Sequence, residues 1–244
     1  MADINYKRFI NEIERSDERI NLFIAQLRNA MIDYFDAMLD ETAGVENDKE
    51  LLAILAGYST YQSVAIVNLY IKKLSSLYLA ELKEMRPRFG VNQEDADLTR
   101  ELAIMHQKKI TTDLTGAITA IGTALAMSKA LADTRPSRRE LKEAYIEKKI
   151  NQTEAELVTN VSAYRSSMEI RKANELVNNP KFAYIGPRDN KNRPICRYIL
   201  DRAQLWTEKE IKELDKHPDA QLIPVKVYGG GYNCRHRWIY TERQ

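Results

Sequence analysis

Apolar residues recur at alternating steps of three and four through most of this chain, and the rhythm stops at Pro180. Ile20, Ile24, Leu27, Met31, Tyr34 and Met38 mark one face of a first helix, the spacing that lets a helix bury one stripe. Asp40 to Gly44 breaks it, and Asn47 and Asp48 are good N-caps for a second. That helix later carries Leu74, Leu77, Tyr78, Leu82 and Met85 and stops at Arg86-Pro87, because a residue before proline is pushed out of the α region. A third opens between Asn92 and Asp97, carries Leu98, Leu102, Met105, Leu114, Ile121 and Leu125, and ends at Thr134-Arg135-Pro136. Ser137 with Glu140 and Thr153 with Glu156 each read as a capping box. Residues 138–178 are therefore one long helix or two broken near Asn151. Long helices on short connections predict antiparallel packing, a bundle or extended hairpin array over residues 1–179.

Residues 180–244 have a different texture. They hold both cysteines, both tryptophans, five of the seven prolines and four of the nine glycines. Phe182 to Ile185, Pro224 to Tyr228 and Trp238 to Tyr240 read as short strands, and the Ile195 to Leu200 stretch as a turn or two of helix. Thr207 with Glu210 is a third capping box, opening a helix that carries Ile211 and Leu214. The expected fold class is mainly α, a long helical body over 1–179, with a small C-terminal α+β module over 180–244.

A formal net charge of +2 gives no global case for nucleic acid or membrane. The charge is uneven, with 13 Lys and Arg against 8 Asp and Glu in the tail, a mildly basic module. The Met1 to Asn5 start lacks a basic, apolar leader. No run of about 18 apolar residues suggests a membrane span. Ile110 to Ala132, rich in Ala, Thr, Leu and Ile, reads as a buried helix of small residues, or as the membrane-active segment of an internal protein ejected with DNA.

The chemistry concentrates in the tail. Cys196, Cys234 and His236 form the tightest set of soft ligands, and residues two apart on an extended segment point the same way. A structural zinc site takes four ligands, with His217 or Asp189 as the candidate fourth. Paired C-x-x-C spacing is absent, so a Cys196–Cys234 disulfide or two buried thiols stay open. Asp189 and Arg193 read as turn residues or as a clamp on Asn233 to His236, and Arg235 and Arg237 as phosphate contacts or partners for Trp206 or Trp238. Gly229-Gly230-Gly231 lacks the Lys-Ser/Thr of a phosphate loop, and no catalytic triad is recognisable. Hence no catalytic residue is assigned; the enzymatic alternatives are a metal-dependent nuclease built from His236, His217 and Asp189, or an enzyme or toxin-like effector using a metal at Cys196, Cys234 and His236.

The ordered words Tyr184-Ile185-Gly186-Pro187, Asp189, Arg193-Pro194-Ile195-Cys196, the capped helix at Glu210-Ile211, and Gly230-Gly231-Tyr232-Asn233-Cys234-Arg235-His236-Arg237-Trp238 resemble the C-terminal domain of phage Mu F-like proteins, the minor head or head-morphogenesis family of tailed bacteriophages. The resemblance covers the last quarter of the chain. It implies a non-enzymatic virion component in the phage head, made in the bacterial cytoplasm during assembly, with portal or capsid proteins as partners. Self-association in a ring and contact of the basic module with packaged DNA are further expectations. It also implies an architectural role for Asp189, Cys196, Asn233, Cys234, Arg235 and His236. The family's Arg-Thr-Glu element before the domain is not found, since Ser162 to Glu175 runs Ser-Ala-Tyr-Arg-Ser-Ser-Met-Glu-Ile-Arg-Lys-Ala-Asn-Glu. No appended toxin or enzyme domain is expected after Gln244.

Overall fold

Four long helices dominate the computed structural model, which describes residues 6–130, 136–220 and 224–241. They are α1 (Tyr6–Thr42), α3 (Ser63–Met85), α4 (Gln93–Ala130) and α6 (Glu147–Leu176), with shorter helices α2 (Asp48–Gly57) and α5 (Arg138–Leu141) between them. One π-helical stretch, Tyr58–Gln62, joins α2 to α3, and another, Lys142–Ile146, joins α5 to α6. Asn47 caps α2 by accepting the Lys49 and Glu50 N–H groups, and Ser137 with Glu140 forms a reciprocal capping box on α5. Thr153 caps nothing: α6 runs through it without a break at Asn151, and its hydroxyl bonds back to the Lys149 carbonyl. The expected end of the third helix near Thr134 lies outside the described residues.

The C-terminal module contains β1 (Lys181–Ile185), α7 (Pro194–Arg202), β2 (Trp206–Thr207), α8 (Glu208–Glu213), α9 (Val225–Tyr228) and β3 (Arg237–Tyr240). The strands form an antiparallel sheet in the order β2-β1-β3, with Phe182 opposite both Trp206 and Tyr240, and Tyr184 opposite Trp238. The fold is mainly α with a small α+β module. The strand expected over Pro224 to Tyr228 is instead the single turn α9. Both edges of β1 are already taken. Val225 is anchored as a turn, its N–H donating to Asp215 and its carbonyl accepting the Trp238 indole N–H.

By contact density the chain divides into two units that cut across the expected 179/180 boundary. One comprises Leu22–Ser76 and Arg100–Glu154. Its core holds Leu27, Met31, Phe35, Leu74, Ile121 and Ile150, and Tyr34 donates to the Tyr58 carbonyl within it. Among the described side chains of the Ile110 to Ala132 stretch, from Thr111 to Met127, the large apolar residues are buried on one face. Leu114, Ile118, Ile121 and Leu125 point inward, while Thr115, Gly116, Thr119 and Thr123 face solvent. The large residues recur at helical spacing with Ala117 beside them, and the threonines fall on the opposite side, so the segment is not buried all round. By length and composition alone, Asp48–Met85 and Gln93–Met127 are apolar enough to cross a membrane.

The other unit comprises Met1–Asn21, Leu77–Thr99 and Ala155–Gln244. It therefore joins the module to helix segments from α1, α3, α4 and α6. Ala183, Ile185 and Ile239, on one face of the sheet, pack on Phe9 and Ile13 of α1. Helix α6 supplies hydrogen bonds to the tail backbone: Thr159 accepts the Asn233 N–H at 2.6 Å, Ser166 that of Trp238 at 3.2 Å and Glu169 that of Tyr240 at 3.3 Å. Two of these donors lie on β3, whose outer edge is thus covered.

Candidate metal centre

Pro194 sits at the start of α7, where its missing N–H costs nothing, and so Cys196 falls in the first turn with its thiol buried. Cys234 and His236 follow a tight loop closed by Gly231 N–H to Tyr228 O and Cys234 N–H to Gly231 O. The loop uses three left-handed positions, Gly229 at φ 56°, Gly231 at φ 114° and Asn233 at φ 59°. Cys196, Cys234 and His236 are all buried, with their ligand atoms within 4.8 Å of one another. The two sulfurs are 3.8 Å apart and His236 Nδ1 is 3.5 Å from Cys234 Sγ. Both cysteines are free thiols.

The histidine is oriented by the backbone. Its Nε2 lies 2.9 Å from the Pro187 carbonyl, which can only accept, so the proton sits on Nε2 and the Nδ1 lone pair faces the sulfurs. A carbonyl holding the far nitrogen in this way is the usual support for a metal-ligating imidazole. Above the sulfurs, the Tyr184 hydroxyl is 3.6 Å from each, and its ring lies nearly parallel to that of His236 at 5.2 Å. The hydrogen bond between the thiols holds Cys234 well below the ordinary thiol range, against the opposing effect of burial. The same bond, with burial, raises Cys196. The Gly230 N–H donates to Cys234 Sγ at 3.2 Å.

Three glycines make the close approach possible. A Cβ on Gly230 would lie 2.0 Å from Cys196 Sγ, one on Gly229 2.8 Å from the Tyr184 hydroxyl, and one on Gly186 2.4 Å from the His236 ring. The glycine run is thus a wall of the cluster, and Gly186, just after β1, is its counterpart against His236.

The remaining residues singled out in the sequence surround this centre without joining it. Asp189 pairs with Arg235 at 2.6 Å and accepts the Lys191 N–H, so it serves both as a clamp and as a turn residue. Arg193 donates to the Tyr232 carbonyl. His217 packs on Tyr198, with ring centroids 4.2 Å apart, and accepts the Asp219 N–H. Neither His217 nor Asp189 is in the ligand set. Trp238 is fully buried beside Tyr184 and Trp206. Arg237 reaches Asp17 and Glu81 rather than a surface anion.

Thr159, Arg165, Ser166 and Glu169 were not singled out in the sequence, although the last three lie in the Ser162 to Glu175 stretch noted above. Their signal was available. Polar residues recur at helical spacing between the apolar positions Leu157, Val161, Tyr164 and Met168, as expected of a helix with partners on every side. No family model matches the chain, and neither does any curated protein or solved structure.

Proposed function

We propose that this chain is a structural component of a tailed-bacteriophage head, a minor head or head-morphogenesis protein docked at the portal vertex or inner capsid. One observation carries the proposal. The ordered words on which the resemblance rests come together as a single buried cluster, in which Tyr184, Gly186, Cys196, Gly230, Cys234 and His236 touch, while Asp189 and Arg193 clamp the loops around it. Separated words converging on a rigid knot suit an architectural module. Docking surface is on offer in the unit of Leu22–Ser76 and Arg100–Glu154, where Leu52, Ile104, Met105 and Met127 are each more than half exposed.

Within that function the cluster is a structural zinc site. Zinc bonds of ~2.3 Å to sulfur and ~2.0 Å to nitrogen set tetrahedral edges of about 3.8 Å and about 3.5 Å; the Cys196–Cys234 and Cys234–His236 separations are 3.8 and 3.5 Å, and the third pair, Cys196 and His236, lies within 4.8 Å and closes on the ion when it binds. Two thiolates and an imidazole favour zinc over hard cations. The nuclease or effector reading draws less support. A cleft of about 570 Å³ beside Tyr184 carries Glu14, Asp17 and Arg188, and Arg188 is paired with Asp201. Two carboxylates at an apolar cleft repel a phosphodiester. Contact with packaged DNA is likewise less supported, since Arg188, Lys212, Lys216 and Arg235 pair with carboxylates of the module itself.

Affinity-tagged protein expressed during infection tests the role. It should be retained in mature or precursor heads at fixed copy number with portal or capsid protein. Its absence from both particle types would refute the assignment.

A further inference from the structure

Tyr184 is a buried phenol whose hydrogen-bond partners are two sulfurs, Cys196 Sγ and Cys234 Sγ, each at 3.6 Å. Sulfur is a weak partner for a hydroxyl, and a buried tyrosine hydroxyl ordinarily finds an oxygen or nitrogen. The fold nonetheless spends several features on holding the hydroxyl there. Tyr184 lies on the central strand β1, its ring is fixed between His236 at 5.2 Å and Trp238 at 4.6 Å, and Gly229 wraps its oxygen so closely that a Cβ would come within 2.8 Å. Beside the near-parallel stack with His236, the phenol oxygen faces both sulfurs and the imidazole Nδ1 faces Cys234 Sγ at 3.5 Å.

Its position relative to the sulfurs follows from coordination geometry. A zinc ion with ~2.0 Å bonds to oxygen and ~2.3 Å bonds to sulfur sets an oxygen–sulfur edge of about 3.5 Å. The hydroxyl meets that edge length to both sulfurs at once, where His217 and Asp189 lie elsewhere. We infer that Tyr184 is the fourth ligand, and that the metal is held by Cys196, Cys234, His236 and the Tyr184 phenolate in a closed shell. This rests on the zinc reading above. On binding, the ion displaces the thiol protons and the phenol proton, which leave to solvent, and no redox change is involved. A closed shell leaves no position for a substrate or an activated water, which is the distinction between structural and catalytic zinc.

The test is titration of zinc into metal-free full-length protein at neutral pH, read by the ultraviolet difference band of tyrosinate and by affinity. The wild-type protein should develop that band in step with the first equivalent of zinc. Tyr184→Phe should lack it and bind zinc at least about tenfold more weakly, since even outer partners of a ligand are worth 10–100-fold. Zinc binding by the wild type with no tyrosinate band would overturn the phenolate ligand while leaving the three-residue site standing. Failure of the wild type to bind zinc or cobalt would overturn both. The band is read on the wild type, so the test survives if the variant does not fold.

Discussion

At the scale of single residues, the tail is governed by what cannot be larger. Gly230 faces the Cys196 sulfur and Gly186 faces both the ring and the Cα of His236, the latter 2.9 Å from a Cβ. Backbone against a side chain that is itself packed cannot give way cheaply. Gly230→Ala and Gly186→Ala should each cost about 2–3 kcal/mol or more in urea unfolding, and both should weaken metal uptake. Gly116, in α4 with nothing within 4 Å of its Cβ, is the control. There alanine should stabilise by about 0.5–1 kcal/mol, because helix interiors disfavour glycine. The reverse ranking would mean that the glycine wall is not where the cluster is held. The sequence showed the soft ligands but not Tyr184 as one of them, because a tyrosine in a short apolar strand looks like ordinary core. Only the pairing of β1 with β3 and the fold of the Gly229 loop bring its hydroxyl onto the sulfurs.

At the scale of elements, capping chemistry was legible where a chain break preceded it and misleading where it did not. Ser137 and Thr207 follow non-helical residues and make full capping boxes. Thr153 carries the same spacing, but Ile146, Ile150, Leu157 and Val161 keep one buried register across it, so the helix never stops. Thr207→Ala should cost about 1 kcal/mol by loss of the cap and fray α8 first in hydrogen exchange. An unchanged stability would show that α8 is held by tertiary contacts alone. The strand misread at Pro224 to Tyr228 has a physical cause as well. Four alternating residues fit a strand, but Val225 is held in a turn by Asp215 and by the Trp238 indole. Helix α6 was legible as a helix and opaque in its role, since its hydrogen bonds to the tail depend on where Asn233, Trp238 and Tyr240 arrive.

At the scale of the whole molecule, the unit that contains the module is built around buried charge. Arg165, 2% exposed, reaches Glu12 at 2.9 Å, Glu169 at 3.2 Å and Glu81 at 3.3 Å. Arg88 bonds Glu12 and Glu169, Arg19 bonds Glu81, and Arg237 from β3 completes the set with Asp17 and Glu81. Four arginines thus meet four carboxylates drawn from α1, α3, α6 and the region just after α3, together with the last strand. Removing one partner strands the rest in low dielectric. Arg165→Ala should therefore cost about 3–5 kcal/mol, and a loss below about 1 kcal/mol in urea unfolding would show the network to be dispensable. Burial pushes Glu81 up, but Arg237 and Arg165, with the Arg19 hydrogen bond, outweigh it and hold its pKa below the ordinary value. Glu208 is held at about 2, first by its bond from Lys226. Both are depressed in the fold, so their stabilisation is complete above the unfolded-state glutamate value of about 4.3 and is lost as pH falls through the folded values. Stability should be level from neutral pH to about 5 and decline steeply toward about 2, and Glu81→Gln should lower the plateau and flatten the decline. A decline that keeps its full slope in Glu81→Gln would remove Glu81 from this account. The central claim is that a metal ion staples the C-terminal module. The most direct measurement is the metal content of full-length protein purified without chelator, followed by a thermal melt with and without one. The account predicts about one zinc per chain and a lower melting temperature once the metal is stripped; metal-free protein that melts at the same temperature with and without chelator would contradict it.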